Sequence, residues 1–188
     1  QELLGSDREG LHRLAGVVAD MLFLSHADRG RAARREPLAS VASLVAEVLD
    51  FHEAALLDAG LRAEVAGDAS AALDAGLLRR ALSNLLGNAT RYAQPGSVLR
   101  IAIEPLEDAR WLRLSVLNEG PEIAPAHLPR LFDRFYRADP ARAQADRNHG
   151  LGLAIVAAIA RMHGGQPFAE SALGRTRIGL LLPRMTQA

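Results

Sequence analysis

A leucine-rich helix at residues 77–93 places the strongest constraint on how this chain can fold. At 3.6 residues per turn, an apolar stripe runs along one side of the helix. The stripe consists of Leu78, Leu82, Leu85 and Ala89. The spacing therefore predicts an amphipathic helix with one face turned towards a core.

The same helix carries Asn84, Asn88 and Arg91 on a second face, at spacings of four and three. Asn is a mediocre helix former because its side chain competes for backbone hydrogen bonds. Two asparagines in the middle of a leucine-rich helix therefore need an explanation. A solvated polar edge and a binding surface explain this helix, taken alone, about equally well.

The composition limits the classes of protein. The chain has 188 residues, of which about half are hydrophobic, with 22 basic and 22 acidic side chains. This suits one well-buried domain with an appendage, with no electrostatic attraction to nucleic acid or anionic membrane. The absence of cysteine excludes disulfides, thiolate catalysis and cysteine-ligated metals. No apolar run approaches the roughly 18 residues of a membrane span, so we expect a soluble piece.

Every basic residue apart from histidine is arginine, since the sequence contains no lysine. The P-loop needs a lysine that reaches the β- and γ-phosphates, and the Ser/Thr/Tyr kinase fold needs a strand lysine. Both nucleotide-binding folds are therefore excluded.

The N-terminal region predicts a helix over residues 7–28 with a heptad-like seam. The seam is formed by Leu4, Leu11 and Val18, seven apart, with Leu14 and Met21. Because three heptads are too short to be stable alone, we expect this helix to pack in a bundle with further elements or a second copy. His12 and His26 are interpreted as solvated or seam-edge residues.

The remainder alternates helices and strands. The expected elements are a helix at 41–60, a hairpin of 61–66 with 69–73 around Gly67-Asp68, the helix at 77–93, antiparallel strands at 98–103 and 111–116, a short helix at 127–135, a helix ending near His163, and strands at 167–171 and 176–182. Neighbouring strands are joined by tight turns as well as by helices. This favours an α/β two-layer sandwich, with a mixed sheet and helices on one face.

Chemistry is indicated by a Gly-x-Gly at Gly150 and Gly152 that opens a helix, where unpaired backbone N–H groups can face a phosphate. Helix packing would explain these glycines about as well. An arginine-bearing loop precedes them, as expected of a lid over an anion. Asn amide oxygens are suitable ligands for Mg²⁺ that is shared with substrate phosphates.

Together and in this order, four motifs resemble the boxes of the catalytic domain of sensor histidine kinases, which has a Bergerat-type ATP-binding fold. They are the N box at residues 84–92, the first glycine box at 118–123, the F box at 131–137 and the second glycine box at 150–156. The resemblance covers about residues 36–183. It is strongest to the heavy-metal-responsive sensor kinases of bacterial two-component systems.

The resemblance implies ATP and Mg²⁺ as cofactors, with Asn88 as the metal ligand. It implies that Asn84 supports the phosphate side of the site, that Arg91 contacts phosphate, and that Tyr92 packs near adenine. Arg137 and Arg142 would reach the γ-phosphate, and together with Asn84 they are the implied catalytic residues. The other implied cofactor-binding residues are Asn118, Gly120, Ile123, Phe132, His149, Gly150, Leu151, Gly152 and Leu153.

Two positions depart from the family pattern. Asn118 stands where the family usually has an Asp that accepts the adenine amino hydrogen, so we expect weaker adenine binding. Asn148 replaces a frequent glycine of the second glycine box. The neighbouring His149 could donate a hydrogen bond to phosphate or could equally be a lid-surface residue.

The resemblance also sets the expected organisation. Residues 1–28 would be part of the dimerisation and phosphoacceptor bundle, residues 29–37 a linker, and residues 38–188 the catalytic domain. The implied partners are that bundle, in a homodimer, and a response regulator, with neither nucleic acid nor membrane contacted by this piece. It would be the cytoplasmic portion of a bacterial inner-membrane sensor.

The reaction class depends on Asn84. Related ATPases with this fold have a Glu at that position that activates water, and an amide cannot act as a general base. Phosphoryl transfer to another group is therefore favoured over hydrolysis, and the resemblance implies that this group is a histidine. The family's phosphoacceptor box is absent, so we expect the acceptor upstream of Gln1 and no self-phosphorylation. An ATP-hydrolysing clamp and a degenerate, non-catalytic nucleotide-binding or dimerisation module remain as alternatives.

Overall fold

The computed structural model describes residues 2–106, 109–138 and 149–184. Its helices are α1 (Glu2–Asp28), α2 (Val41–Asp58), α3 (Ala75–Tyr92) and α4 (Gly152–Met162), with a 3₁₀ turn at Leu128–Arg130. Its strands are β1 (Glu36–Leu38), β2 (Arg62–Ala66), β3 (Ala71–Leu73), β4 (Val98–Leu106), β5 (Trp111–Glu119), β6 (Gln166–Ala172) and β7 (Arg175–Pro183). No helix among these residues is long and apolar enough to cross a membrane.

Five strands form a mixed sheet in the order β2-β4-β5-β7-β6. The pair β2–β4 is parallel, and the other pairs are antiparallel. Alternate residues such as Leu99, Leu114 and Leu180 share one buried cluster with helices α2, α3 and α4. The opposite face carries Glu104 and Arg113, whose side chains form a 2.8 Å ion pair. The predicted mixed sheet with helices on one face is confirmed.

Helix α3 begins where Asp74 caps it, since the carboxylate accepts a 3.0 Å hydrogen bond from the backbone N–H of Leu77. It ends at Tyr92, just before Pro95-Gly96. Its buried residues are Leu78, Ala81, Leu82, Leu85, Leu86 and Ala89. The predicted apolar stripe is therefore the face that packs into the core.

The predicted hairpin of residues 61–66 with 69–73 is wrong. Strand β2 pairs in parallel with β4, and β3 pairs with β1 in a separate two-stranded sheet. Asp68 instead caps α2, because its carboxylate accepts hydrogen bonds from the Ser40 hydroxyl and the Ala42 N–H. The Ala42 N–H is the main reason that the pKa of Asp68 lies below its ordinary value. The Gly67-Asp68 turn thus fits a helix cap as well as a hairpin, and local sequence does not separate the two.

Two other boundaries differ from the prediction. Glu36 and Pro37, which the sequence assigns to the linker, lie in strand β1. The short helix expected over residues 127–135 is reduced to a 3₁₀ turn, with Pro129 among its first residues. Proline is tolerated in the first turn, but a helix cannot continue to residue 135, because Phe135 has a positive φ of 62°.

Helix α1 has two different faces. Leu11, Leu14, Val18 and Leu22 are exposed by half or more of their area. Met21 does not share this exposed stripe as the heptad pattern predicted, since it packs with the buried Leu24 against the hydrophobic core. We expect this seam to pack in a bundle with a second chain or with further elements. The structure, which has one chain, does not test this expectation. His26 is exposed. The side chain of His12 lies outside the described part.

Candidate functional site

A cleft of about 370 Å³ opens where α3, the ends of β5 and β7, the segment 121–138 and the start of α4 meet. Ten of the predicted site residues line it. They are Asn84, Asn88, Arg91, Tyr92, Asn118, Ile123, Arg137, Gly150, Gly152 and Leu153. Residues that lie far apart in the sequence therefore converge on one cavity.

The orientation of the Asn84 amide follows from its contacts. Its Nδ2 donates a 2.9 Å hydrogen bond to the carbonyl of Arg80, one turn earlier in α3. Its Oδ1 therefore faces the start of α4, where a Cβ placed on Gly152 would lie only 2.8 Å from it. Gly152 thus leaves room for the Asn84 amide, and an acceptor oxygen stands beside the first turn of α4.

Asn88 lies one turn further along α3 and is half-buried in the cleft wall. Within the described part of the chain, its amide has no hydrogen-bond partner. Its oxygen is therefore available to a ligand or a cation.

Gly150 and Phe135 are hydrogen-bonded to each other beside the cleft. The N–H of Phe135 donates a 2.9 Å hydrogen bond to the carbonyl of Gly150, and both residues have positive φ values, 62° and 71°. A Cβ on Gly150 would lie 3.0 Å from the Phe135 backbone. This position therefore favours glycine on both conformational and steric grounds.

Gly120 does not line the cleft, but its lack of a side chain shapes one wall. A Cβ at this position would lie 2.2 Å from the carbonyl oxygen of Tyr92. Its N–H donates a 2.9 Å hydrogen bond to the carbonyl of Gly174. Gly120 therefore lets the end of β5 approach the C-terminus of α3, so that Asn118 and Tyr92 face the same cavity.

The other predicted residues lie elsewhere. Phe132 packs against the core, Leu151 is buried in it, and His149 is not part of the cleft wall. Arg142, like Asn148, falls outside the described residues.

The sequence prediction missed nine lining residues. They are Pro121, Glu122, Ala124, His127, Leu131, Tyr136, Ala138, Thr176 and Ile178. His127 and Tyr136 are hydrogen-bonded, with 2.6 Å between Nδ1 and the hydroxyl oxygen, and the Arg130 guanidinium lies 4.3 Å from the centre of the tyrosine ring. Their nine-residue separation fits no regular element, so no periodic signal could reveal the pair.

Thr176 is a missed residue that no local sequence signal identifies. It stands directly opposite Asn118 in the antiparallel pair β5–β7. Both strands were predicted, but their pairing was not, and only the pairing brings Thr176 to the cleft.

The charges of the cleft suit an anionic ligand. Its described lining includes two arginines, Arg91 and Arg137, and one carboxylate, Glu122. Glu122 is largely exposed, and its Oε1 accepts a 2.8 Å hydrogen bond from the N–H of Gly174. Two guanidinium groups in a cleft that also includes the start of a helix can contact the phosphates of a ligand.

Residues 73–186, more than half of the chain, match the family described as histidine kinase-, DNA gyrase B-, and HSP90-like ATPases. Sensor histidine kinase CusS of Escherichia coli K12 is 41% identical over 184 residues, which are 97% of this chain and 38% of CusS. The chain therefore spans less than two fifths of the length of that relative.

Two solved structures have the same fold. Acinetobacter baumannii histidine kinase AdeS superimposes with a TM-score of 0.82 at 24% identity, covering 99% of this chain and 86% of that one. Full-length ShkA in complex with AMPPNP gives a TM-score of 0.85 at 24% identity, covering all of this chain and 39% of that one. The chain belongs to the family of histidine kinase-, DNA gyrase B- and HSP90-like ATPases, and over nearly its whole length it is similar to one part of a sensor histidine kinase.

Proposed function

We propose that this chain binds Mg-ATP in the cleft and transfers the γ-phosphate to a histidine on a bundle helix, from which a response regulator receives it. The observation that carries this proposal is the Asn84 amide. Its nitrogen is bonded to Arg80, and its oxygen faces the start of α4. An amide positions a phosphate or its water shell but cannot remove a proton from water.

The rest of the cleft supports transfer over hydrolysis. Glu122 is the one carboxylate among the described lining residues, and it is held at the turn before β7 by the N–H of Gly174. A water molecule attacking the γ-phosphate would therefore find no free carboxylate base among the described lining residues. An imidazole brought from another element is itself the nucleophile and needs mainly alignment and neutralised phosphate charge.

The residues present fit a magnesium ion that is shared with the nucleotide. Asn88 presents an amide oxygen to the cleft, and Mg²⁺ commonly combines one or two protein oxygens with phosphates and waters. Among the described residues, no group of three or more His, Cys, Asp or Glu side chains could hold a metal. We therefore expect Asn88 to bind Mg²⁺ only together with ATP, where the ion neutralises phosphate charge.

In the proposed complex, Arg91 and Arg137 contact the phosphates, Tyr92 packs near the base, and Asn118 accepts the adenine amino hydrogen. The glycine turn at Gly150 and Gly152 brings the start of α4 to the phosphates. All of these residues line the cleft. Arg142, the remaining implied catalytic residue, lies outside the described residues. The bound AMPPNP named for ShkA supports a triphosphate ligand.

The exposed stripe on α1 supports the proposed partner. Leu11, Leu14, Val18 and Leu22 are solvent-exposed at intervals of three and four residues, which is the pattern of a helix that packs in a bundle. We propose that it packs in the dimerisation bundle of a metal-responsive sensor kinase. The catalytic part would then act on the cytoplasmic side of a membrane-anchored protein.

The first experiment is calorimetric titration of ATP with and without Mg²⁺ on the wild type and Asn88→Ala. The proposal expects Mg²⁺-dependent binding that Asn88→Ala weakens by at least about tenfold. Ser83→Ala is the matched control, since it removes a polar group from the same helix outside the cleft. Normal Mg-ATP binding by Asn88→Ala would refute the site assignment.

The second experiment supplies an acceptor helix with the family's histidine box as a separate peptide, together with radiolabelled ATP. Acid-labile phosphate on the peptide supports the proposal. Multiple turnover without any acceptor would instead support a hydrolysing clamp, which is the second candidate. Absence of Mg-ATP binding in the wild type would support a degenerate module.

A further inference from the structure

Two buried polar side chains form the inner end of the cleft. Asn118 is 4% exposed and Thr176 is 5% exposed, and both line the cavity. They stand opposite each other on β5 and β7. The other buried polar residues of the described chain, Ser115 and His163, do not reach the cleft. Because both side chains are buried, a ligand that contacts them is shielded from water, and any polar group there that finds no hydrogen-bond partner is costly.

Each of these two side chains can present either a hydrogen-bond donor or an acceptor to a ligand. The Nδ2 of Asn118 has only a long 3.4 Å contact with the carbonyl of Glu119, so little holds the amide in one orientation. The hydroxyls of Thr176 and Ser171 are 2.9 Å apart, and either one can be the donor. Ser171 also accepts the N–H of Ile123 at 3.0 Å, which keeps it in place for both arrangements.

An amide and a hydroxyl each offer a donor and an acceptor, whereas an ionised carboxylate only accepts. The 6-position of a purine is a donor in adenine and an acceptor in hypoxanthine and guanine. Rotating the Asn118 amide by half a turn exchanges its oxygen for its nitrogen. Reversing the Thr176–Ser171 bond exchanges the role of the second group in the same way.

We propose that Asn118 and Thr176 make this site tolerant at the purine 6-position, so that it accepts 6-oxopurine nucleoside triphosphates as well as ATP. This inference rests on the proposed function, in which the base lies against Asn118. Asn118 is then a specificity-determining residue. An aspartate at this position would restore selection for the 6-amino group, because a 6-oxo group would face an acceptor with no proton between them.

The test compares ATP with inosine triphosphate, which differs from ATP only at C6 and N1 of the base. Dissociation constants are measured with Mg²⁺ by calorimetry on the wild type and Asn118→Asp. The wild type is expected to bind the two nucleotides within about fivefold of each other, since each leaves no buried group unmatched. Asn118→Asp is expected to raise the ratio by about 10- to 100-fold in favour of ATP.

A ratio of two constants cancels the repulsion between a new carboxylate and the triphosphate, which both nucleotides share. Gln94→Glu is the matched control, because it makes the same amide-to-carboxylate change at an exposed residue outside the cleft. Its ratio should equal that of the wild type. The wild-type ratio alone tests the inference, so a failure of Asn118→Asp to fold leaves the test intact.

The outcomes separate the inference from the proposed function. A wild type that prefers ATP by more than about 100-fold overturns the inference and leaves the proposed function standing. The same holds if Asn118→Asp binds both nucleotides with an unchanged ratio. A wild type that binds neither nucleotide overturns the proposed function as well.

Discussion

Substituting Gly152 by alanine tests whether the amide of Asn84 acts at the nucleotide site. A Cβ at residue 152 would lie 2.8 Å from the Asn84 Oδ1 and 3.6 Å from its Cγ. The obstructing atom is the end of a side chain and not backbone, so the amide can rotate away. The substitution therefore displaces the Asn84 amide without changing any residue of α3.

The expected change in the free energy of unfolding is small because two terms oppose each other. Losing the 2.9 Å hydrogen bond from Asn84 to the Arg80 carbonyl costs about 1 kcal/mol. Replacing glycine by alanine in α4 returns at most about 1 kcal/mol of helix propensity. The net effect lies within about 1 kcal/mol of zero, or about 2–4 °C in melting temperature.

The expected change in nucleotide binding is larger. If Asn84 holds the phosphates or their water shell, its displacement removes a hydrogen bond to a charged group, worth about 1.5–3 kcal/mol. The dissociation constant for Mg-ATP then rises by roughly 10- to 150-fold. Calorimetric titration and thermal unfolding of Gly152→Ala measure the two quantities side by side.

Gly87→Ala is the matched control for this substitution. Gly87 lies in α3 between the two asparagines, and a Cβ there would meet no atom within 4 Å. It should stabilise the fold by up to about 1 kcal/mol and leave Mg-ATP binding unchanged. Any general effect of adding a methyl group near the site would appear in this variant too.

A double-mutant cycle with Asn84→Ala decides whether the effect passes through Asn84. In the Asn84→Ala background, Gly152→Ala should weaken Mg-ATP binding no further. Two results would refute the reasoning: unchanged Mg-ATP binding in Gly152→Ala, or an equally large loss in the Asn84→Ala background. The second would mean that the new methyl group obstructs the nucleotide directly.

Three further predictions concern stability and assembly. Burial lowers the pKa of His163 below its ordinary 6.5. As the pH falls through that value, the unfolded chain therefore binds more protons than the folded one, and the free energy of unfolding decreases. Urea unfolding should show this loss of stability below about pH 6.5, and His163→Gln should show less of it. Tyr136→Phe removes the hydroxyl bonded to His127 and should lower the free energy of unfolding by about 1 kcal/mol, measured by urea titration. Leu14→Asp with Leu22→Asp places charges on the exposed stripe of α1 and should abolish self-association in sedimentation velocity while Mg-ATP binding is retained.

Each of these predictions has its own control. His52→Gln checks the pH dependence, because burial also lowers the pKa of that histidine, and the two variants together should remove most of the loss. A pH profile unchanged in His163→Gln would contradict the assignment.

For the tyrosine, His127→Phe should lower the free energy of unfolding by a similar amount, and the double variant should lose no further hydrogen bond. For the seam, the exposed Phe51→Asp on α2 should leave association unaltered, and association of the Leu14/Leu22 variant would contradict the role of the stripe.

Local patterns predicted the parts of the site that lie on regular elements. Asn84 and Asn88 could be placed on one helix face because helical spacing fixes which side chains share a direction. The glycines at 150 and 152 could be placed at a helix start because the apolar run follows them at once. Helix α3 and strands β4, β5, β6 and β7 have lengths and periods that leave little choice of secondary structure.

Pairing over long distances was not predictable in the same way. The turn at Gly67-Asp68 is locally compatible with a hairpin, but β2 pairs in parallel with β4, which follows it in the chain after β3 and α3. Thr176 reaches the cleft only through its register with Asn118. His127 meets Tyr136 through an irregular path that no repeat describes.

The sequence by itself determined the class of fold and the placement of Asn84 and Asn88 on one face of a helix, because periodicity and residue identity are local properties. The tertiary structure decided which groups line the cleft and how they are oriented. The Asn84 amide is turned by the carbonyl of Arg80, and Gly152 leaves room for its oxygen. Asn118 and Thr176 meet at the buried end. Such contacts arise only when distant segments pack, since hydrogen bonds across the cleft depend on three-dimensional distance and not on spacing along the chain.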